Sequence, residues 1–214
     1  MRRLLVVLAG LILAVAAVRA HLVVRAIRAL DRRGGLATLR GERAYAGAAG
    51  LFAGLHARAA ADTVATLRRG GTVVDVGAGP GDLLAAIGTA APRLEAIGVE
   101  PSAEMRAIAA SRGITEVDGR AEALPIADAS VDLLVSTLSA HHWQDPVAAV
   151  REMARVLRPG GEARIYDVRF AAFSTAEARA LARAAGLDPS TVGRRVLSER
   201  LFGVRPYCLI TITP

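Results

Sequence analysis

The sequence predicts an α/β fold: a seven-stranded, mostly parallel sheet with one antiparallel strand and helices on both faces. Three observations predict it. Short apolar segments rich in valine alternate with segments of helical periodicity from residue 72 onward. A glycine turn directly follows the first of these apolar segments. The last two predicted strands have no helix between them, which implies one antiparallel addition to the sheet.

An uninterrupted apolar run at residues 4–18 follows Arg2 and Arg3, and predicts a hydrophobic helix over residues 1–30. The run is apolar on every face, which favours a membrane anchor, although it is short beside the roughly 20 residues of a transmembrane helix. A cleaved signal peptide and a buried helix are the alternatives, and residues 17–20 form a poor cleavage site. More arginines follow the run than precede it. This bias predicts an inner-membrane or plasma-membrane location, with the rest of the chain facing the cytoplasm.

Residues 31–52 are rich in Gly, Arg and Ala, and are predicted to be a linker that continues into a lid helix. Tyr45 in this segment is a candidate substrate contact, with simple packing as the alternative. Residues 53–214 are predicted to form the remaining domain. It opens with a helix over residues 53–69, which Gly70 and Gly71 end.

The other elements follow along the chain in alternation. Strands are predicted at residues 72–76, 94–100, 114–118, 131–137, 162–168, 191–198 and 205–213. Helices are predicted at residues 82–89, 102–111, 146–157 and 175–185, and a turn at residues 158–161. Strands separated by helices imply a parallel sheet with right-handed crossovers.

Composition excludes several classes of function. The formal net charge is +7, and all 27 basic residues are arginines, scattered without a basic block between aromatic residues. This pattern favours a GC-rich genome over nucleic-acid binding. Cys208 stands alone in an apolar run, so no disulfide can form within the chain, and no His/Cys cluster has the spacing of metal ligands. Hydrophobic residues make up 53% and the mean hydropathy is +0.37, which is high for a soluble protein.

The stretch at residues 72–82 predicts a nucleotide site. A buried strand runs into Gly77, Gly79 and Gly81, which leave room for a ligand, and then into a helix N-terminus. A dinucleotide fingerprint has the spacing Gly-x-Gly-x-x-Gly, whereas here it is Gly-x-Gly-x-Gly. Asp75 lies inside the strand, where a dehydrogenase has an apolar residue. Glu100 ends the second strand, 19 residues past Gly81, and can accept hydrogen bonds from ribose hydroxyls.

Four stretches, in order, resemble class I S-adenosylmethionine-dependent methyltransferases of the small-molecule type 11 group. They are Val-Val-Asp-Val-Gly-Ala-Gly-Pro-Gly-Asp at 73–82, Gly-Val-Glu-Pro-Ser at 98–102, Gly-Arg-Ala-Glu-Ala-Leu-Pro-Ile at 119–126 and Arg-Val-Leu-Arg-Pro-Gly-Gly at 155–161. The segment His-His-Trp at 141–143 is also similar to that family. The resemblance spans about residues 53–214 and implies a Rossmann-like sheet with S-adenosylmethionine as cofactor.

The resemblance implies a role for each matching position. The residues expected to face the methionine part of the cofactor are Asp75, Gly77, Ala78, Gly79 and Gly81. Glu100 is expected to hold the ribose, and Pro101 or Ser102 to pack near the adenine. Ala121 and Glu122 are expected in the adenine loop, and Thr137 where sulfonium and acceptor meet.

The sequence departs from the family at Arg120. Relatives often have Asp there, which reaches the adenine amino group, and an arginine cannot accept that hydrogen bond. Recognition of adenine is then expected to depend on the Ala121 backbone amide or on Asp118.

Two histidines follow the fourth predicted strand and are the catalytic candidates. His142, slightly favoured, or His141 would act as a general base on the acceptor. The alternative is that they anchor the loop, while Asp145 before Pro146 caps the next helix. Tyr166 and Asp167 end the fifth strand and are candidates for a functional contact, Tyr166 with the substrate. The alternative is that both are ordinary strand-end residues.

These residues together predict transfer of a methyl group from S-adenosylmethionine to a small acceptor by in-line displacement. The sharper hypothesis is a lipophilic acceptor, such as a quinone or lipid precursor, because of the predicted anchor. One alternative is a non-catalytic membrane adaptor that binds the cofactor, for which Arg120 is the support. Another is a nicotinamide-dependent reductase, which the glycine spacing disfavours. The oligomeric state is left open.

Overall fold

A computed structural model describes residues 42–169, 171–201 and 204–214. The predicted anchor at residues 1–30 and the first part of the predicted linker lie outside the described residues, so both stay predictions. No helix within the described ranges is both long and apolar enough to cross a membrane. The compact unit that contains the sheet spans Ala49–Pro214.

Strands and helices alternate through this unit as the sequence predicts. The helices are α1 (Glu42–Thr66), α2 (Asp82–Ala90), α3 (Ala103–Ser111), α4 (Pro146–Val156) and α5 (Thr175–Ala184). The strands are β1 (Gly71–Val76), β2 (Leu94–Val99), β3 (Glu116–Val117), β4 (Val131–Thr137), β5 (Leu157–Val168), β6 (Gly193–Val196) and β7 (Tyr207–Ile212). Single 3-10 turns lie at Ala140–His142 and Pro189–Thr191. Strands β3 and β6 are shorter than predicted.

The described strands form one seven-stranded sheet in the order β3-β2-β1-β4-β5-β7-β6. Neighbouring strands from β3 to β5 pair in parallel, whereas β7 runs antiparallel to both β5 and β6. The prediction of a mostly parallel sheet with one antiparallel strand is confirmed. The strand order reverses beside β1, so the crevice of an open α/β sheet lies where β1 and β4 end.

The two faces of the sheet bury different helices. Val74 and Leu134 pack in a hydrophobic cluster with residues of α4 and α5, including Met153 and Ala178. On β5, Ile165 joins the same cluster. Its neighbours along the strand point to the opposite face, where the Tyr166 hydroxyl donates to Asp62 Oδ2 of α1 at 3.0 Å. Helices therefore cover both faces, as predicted.

Strand β5 contains the segment that the sequence predicts as a turn. Val131 pairs with Leu157 and Leu133 with Glu162, so the residues at 158–161 form a bulge within a single strand. Gly160 has a φ of +83°, a left-handed conformation that favours glycine. A Cβ on Gly161 would lie 3.0 Å from the Arg158 carbonyl oxygen. The predicted turn at 158–161 is thus corrected: the glycine pair lets the strand bulge without ending it.

Asp132 fastens this bulge to the start of β1. One carboxylate oxygen accepts the Thr72 backbone N–H at 2.8 Å, and the Arg158 guanidinium lies 2.7 Å and 2.8 Å from the two oxygens. Burial raises the pKa of Asp132, but the Thr72 N–H and Arg158 outweigh burial and leave that pKa below its ordinary value.

Replacing Asp132 tests this connection. Asp132→Asn removes the charge that holds Arg158, and we expect the free energy of unfolding at pH 7 to fall by about 1–2 kcal/mol. A lowered folded-state pKa gives stability that is present above the ordinary pKa of aspartate and disappears as the pH falls through the folded-state pKa, so the loss shrinks only below about pH 4. Urea unfolding of the full chain at several pH values measures it.

Asp128→Asn is the matched control, because Asp128 is 76% exposed and pairs with Arg155 at the surface. We expect it to change stability by less than about 0.5 kcal/mol. Equal losses in the two variants would contradict the role given to Asp132.

Candidate active site

The glycine turn joins β1 to α2 in a left-handed conformation. Gly77, Gly79 and Gly81 have φ angles of +75°, +61° and +80°. A Cβ on Gly77 would lie 2.5 Å from the Ser139 side chain, and one on Gly81 would lie 2.7 Å from Ile114. The sequence suggests that the glycines leave room for a ligand. At Gly77 and Gly81 the structure shows that the missing side chain makes room for neighbouring parts of the protein.

Glu100 closes this turn from the end of β2. Its two carboxylate oxygens accept the backbone N–H groups of Gly79 and Ser102, each at 2.9 Å. The residue is 8% exposed. A carboxylate oxygen has two lone pairs, so both oxygens retain the capacity to accept hydrogen bonds from ribose hydroxyls. The predicted ribose contact agrees with this geometry and stays a prediction.

Two further carboxyl groups lie buried beside Glu100. Asp75 is 0% exposed, and neither its oxygens nor those of Glu116 have a hydrogen-bond partner among the described residues. Burial, together with Glu116 and Glu100, raises the pKa of Asp75 well above its usual range. Burial and Glu100 raise the pKa of Glu116 to about 7, against the opposing effect of Arg106 and Arg112. An orphaned, buried carboxyl is the kind of group that a cationic ligand would satisfy.

Sequence reasoning missed Glu116. Its Cγ lies 2.6 Å from the position that a Cβ on Gly98 would take, and its Oε1 lies 3.3 Å from that of a Cβ on Gly81. Glu116 therefore fills space that two glycines leave open, next to the turn. The signal was an acidic residue within a predicted strand, the same signal that singled out Asp75.

The predicted adenine loop is held by side chains from elsewhere. Arg155 donates to the Leu124 and Ile126 carbonyl oxygens at 3.0 Å and 2.9 Å. Glu122 accepts the Gln144 backbone N–H at 2.6 Å, which ties the loop to the segment before α4. Ala121 is 5% exposed. Glu122 thus has a positioning role in the protein, and its contact with a cofactor stays a prediction.

Two other predicted adenine contacts follow β2: Pro101 is exposed and Ser102 is half-buried. Arg120, where the sequence departs from the family, is also exposed. Asp118, the proposed substitute acceptor, is 73% exposed and forms an ion pair with Arg106 at 2.9 Å. Arg106 also donates to the Glu100 carbonyl oxygen at 2.6 Å, so the loop after β3 is fastened to the end of β2.

The loop after β4 packs against the glycine turn. Thr137, which ends β4, is 7% exposed. Leu138 follows with a φ of +56°, a conformation that costs a residue with a side chain roughly 1–2 kcal/mol. Ser139 Oγ donates to the Val76 carbonyl oxygen at 2.9 Å and lies 2.6 Å from Ser136 Oγ. Such strain is common where a loop serves a ligand site.

His141 contacts a buried carboxylate. Its Nδ1 lies 2.9 Å from both oxygens of Asp167, which is 0% exposed. The His141 backbone N–H also donates to Asp167, at 3.3 Å. His142 is exposed, with its ring centroid 4.2 Å from that of His141. The sequence slightly favours His142, whereas it is His141 that contacts the Asp167 carboxylate. Asp145 accepts the N–H groups of Val147 and Ala148 at 3.0 Å and caps α4, as expected.

The structure describes the side chain of only one of the two tyrosine candidates. Tyr166 is 0% exposed, and its hydroxyl bonds to Asp62 of α1. This contact gives Tyr166 a structural role, and a substrate contact stays a prediction. Tyr45 lies in α1, but its side chain is outside the described residues. Within the described residues, no group of three or more His, Cys, Asp or Glu side chains is arranged to hold a metal ion.

Comparison with known proteins finds a match in the central part of the chain. Residues 74–165 match the family model of a methyltransferase domain. The match begins in β1 and ends in β5, so it contains the glycine turn, Glu100 and the loop after β4. S-adenosylmethionine is accordingly the cofactor of this domain.

Relatives of the methyltransferase domain agree with that match. The chain is 46% identical over 70 residues to the uncharacterised protein YafE of Escherichia coli, covering 33% of this chain and 32% of that protein. It is 42% identical over 101 residues to the ubiquinone/menaquinone biosynthesis C-methyltransferase UbiE of Rubrivivax gelatinosus, covering 46% of this chain and 39% of that protein. The matched segment therefore spans well under half of either relative.

Solved structures share the fold. The YcgJ protein of Bacillus subtilis superposes with a TM-score of 0.52 at 27% identity, covering 67% of this chain and 68% of that chain. A SAM-dependent methyltransferase of Aquifex aeolicus superposes with a TM-score of 0.53 at 22% identity, covering 66% of this chain and 80% of that chain. The sheet is thus Rossmann-like, in agreement with the sequence.

The chemistry of S-adenosylmethionine fits the residues at this edge. Its ammonium and sulfonium groups are cationic, and Asp75, Glu100 and Glu116 place three carboxyl groups around the turn. Asp75 has the orphaned oxygens that an ammonium group could satisfy, and Glu100 retains lone pairs for hydroxyls. Asp75, Glu100 and the turn amides are the groups that would hold the cofactor.

The first prediction for this site concerns Glu100. In Glu100→Gln, one carboxylate oxygen becomes an amide nitrogen that cannot accept the N–H of Gly79 or Ser102. A lost hydrogen bond to a charged group costs about 1.5–3 kcal/mol, so we expect S-adenosylmethionine to bind about tenfold or more weakly. Calorimetry on the full chain measures the Kd.

Glu104→Gln, the same change at an exposed position in the first turn of α3, should leave the Kd unchanged. Equal Kd values for both variants would refute the role of Glu100.

The second prediction concerns Glu116 and pH. Because its folded-state pKa is raised to about 7, the folded protein holds the proton more tightly than the unfolded chain. Stability from this residue is therefore lost as the pH rises from about 4.5 through 7. Glu116→Gln keeps a neutral side chain, so the stability of the variant relative to wild type should rise between pH 5 and pH 8. Thermal melts between pH 5 and pH 8 test this prediction, with Glu104→Gln as the exposed control. The same pH dependence of stability in Glu116→Gln and in wild type would contradict it.

Proposed function

We propose that this chain transfers a methyl group from S-adenosylmethionine to a small acceptor at the carboxyl edge of its sheet. The observation that supports it best is the glycine turn closed by the buried Glu100 carboxylate, beside the orphaned carboxyl of Asp75. Bound S-adenosylmethionine supplies a methyl group already activated on a sulfonium sulfur, so the protein needs no nucleophile of its own. Its residues have to orient the acceptor in line with the methyl group and exclude water.

The positions of the turn after β1 and the loop after β4 support separate cofactor and acceptor sides of the site. The turn after β1 would hold the cofactor, and the loop after β4, fastened to it through Ser139, would face the acceptor. Thr137 ends β4, and Leu138 begins the second of these loops. The segment 169–174 between β5 and α5 is short and offers little material for a separate cap over the acceptor.

We extend the proposal to a lipophilic acceptor, such as a quinone or a lipid precursor. Two observations support this class. The first is the apolar run at residues 4–18, which would bring the domain to a membrane. The second is the similarity to UbiE of Rubrivivax gelatinosus, whose name places it in quinone biosynthesis as a C-methyltransferase. The anchor would hold the domain on the cytoplasmic side of the membrane.

Ligand binding separates this proposal from its alternatives. We expect the full chain to bind S-adenosylmethionine and S-adenosylhomocysteine at one site, because both present the same ribose and amino acid groups. NADH should give no heat, because the spacing of the turn is Gly-x-Gly-x-Gly. Isothermal titration calorimetry measures all three. Binding of NADH without S-adenosylmethionine would favour the reductase.

Transfer separates an enzyme from an adaptor. The full chain is incubated with a labelled methyl donor and a membrane-lipid extract, beside an aqueous metabolite extract as control. The proposal expects S-adenosylhomocysteine release and label in the lipid fraction. Cofactor binding without release in either extract would favour the adaptor, and label in the aqueous extract alone would refute the lipophilic class.

A further inference from the structure

We infer that Asp167 fixes His141 in the tautomer that can remove a proton from the acceptor. The acceptor is accordingly a weak oxygen acid, such as a phenol or an enol. Asp167 is the positioning residue, and His141 is the group that takes the proton. The inference rests on the proposed methyl transfer and adds the class of acceptor to it.

The geometry of the pair is that of a histidine held by a carboxylate. Nδ1 of His141 lies 2.9 Å from both Asp167 oxygens. The carboxylate is itself fixed by two backbone donors, Val168 N–H at 2.6 Å and His141 N–H at 3.3 Å. Asp167 is completely buried, and the His141 side chain is 13% exposed. A buried carboxylate with this many donors has little freedom to reorient, so it constrains the imidazole.

The tautomer follows from the donor inventory. An ionised carboxylate can only accept hydrogen bonds, so Nδ1 of His141 must carry the proton that it shares with Asp167. In the neutral ring the lone pair is then on Nε2. That nitrogen is the one able to accept a proton, and the imidazolium formed would be stabilised by the adjacent carboxylate. A carboxylate that holds an imidazole in this way is the arrangement of a general base, found on unrelated folds.

The location of the pair matches the expected acceptor side of the site. His141 belongs to the 3-10 turn that follows β4, and Asp167 lies near the end of β5, the strand next to β4. Two residues before His141, Ser139 fits the space at Gly77 and donates to the last carbonyl of β1. The base and the glycine turn are thus parts of one packed edge.

Two further titratable side chains lie next to this pair. The ring centroid of His142 lies 4.2 Å from that of His141, and Cys208 of β7 pairs with Asp167 in the sheet register. Burial raises the pKa of the Cys208 thiol, with Arg194 opposing and Asp167 adding to the shift. Arg169, after β5, also lowers that pKa. The Cys208 thiol is neutral at pH 8, the pH of the two tests described below.

The chemical step is a proton transfer that balances without a further reactant. The O–H bond of the acceptor breaks, its electron pair stays on oxygen, and the proton moves to Nε2 of His141. The oxygen, or a ring carbon conjugated with it, then has the electron pair that the methyl transfer requires. The imidazolium later returns the proton to water. An acceptor that is already an anion, such as a thiolate, would not need this step.

Nuclear magnetic resonance tests the tautomer without any acceptor. Nitrogen-15 spectra of the full chain should show His141 with the proton on Nδ1 at pH 8, and Asp167→Asn should move it toward Nε2. Asp188→Asn makes the same change at an exposed helix cap and should leave the spectrum as in wild type. A wild-type His141 protonated on Nε2 would overturn the inference.

Kinetics tests the acceptor class with two probes, 1-naphthol and thiophenol, at pH 8. S-adenosylhomocysteine release with 1-naphthol should fall about 100-fold or more in Asp167→Asn and in His141→Gln, the size expected for loss of a general base. Release with thiophenol, which is ionised at this pH, should change less than about threefold, since no proton has to be removed. The acidic limb of the 1-naphthol rate should move to lower pH in Asp167→Asn.

The outcomes separate the inference from the proposed function. A purely structural role for Asp167 predicts equal losses with both probes, and that result overturns the inference. The inference is also overturned if S-adenosylhomocysteine release with 1-naphthol falls equally in His142→Gln and in His141→Gln. Release with thiophenol but not 1-naphthol leaves the methyl transfer standing and overturns the acceptor class. Release with neither probe counts against both. If Asp167→Asn fails to fold, His141→Gln, at a 13% exposed position, supplies the same comparison.

Discussion

The hydrogen bonds that the Glu100 carboxylate accepts are the constraint on which this edge of the sheet depends. One oxygen holds the Gly79 amide of the turn after β1, and the other holds the Ser102 amide that begins α3. A buried carboxylate with two charge-assisted bonds thus joins the turn after β1 to the start of α3. Arg106 continues the chain of contacts from Glu100 to Asp118 after β3. The cofactor side of the site is therefore built from side chains that fix backbone amides, and the cofactor would meet a turn already in place.

Most of the fold follows from local patterns, and the exceptions have physical causes. The strands β1, β2 and β4 are predicted within one or two residues, because short apolar segments with β-branched residues are typical of buried strands. The predicted start of β5 is wrong. Arg-Pro-Gly-Gly at 158–161 has the composition of a turn, but it forms a bulge between Leu157 and Glu162, which both pair with β4. Strand β3 shrinks to Glu116–Val117, since pairing with β2 at the sheet edge supports only two residues. Such outcomes depend on neighbours distant in the sequence.

The site shows the same division. The positions of the glycines, Asp75 and Glu100 at the turn could be predicted from spacing and resemblance, because they depend on the backbone and the strand ends. Their contacts with the cofactor stay predictions. Glu116 was missed, since its burial depends on the absence of side chains at Gly81 and Gly98. Asp167 was a candidate, but its contact with His141 was missed, because 26 residues separate the two and only the adjacency of β4 and β5 brings them together. Pairwise contacts across a parallel sheet have no local signal.

The fit of Ser139 into the space at Gly77 limits how such a protein can diversify. A larger residue at 139 would displace the very turn that S-adenosylmethionine needs, and a side chain at 77 would displace the histidine loop. Gly77 also has a φ of +75°, which favours glycine whatever residue stands at 139, so we expect variation in acceptor choice at residues beyond the serine. The cofactor end is thereby protected from changes that select a new acceptor, and the 3-10 turn at Ala140–His142 becomes the nearest place where new specificity could arise.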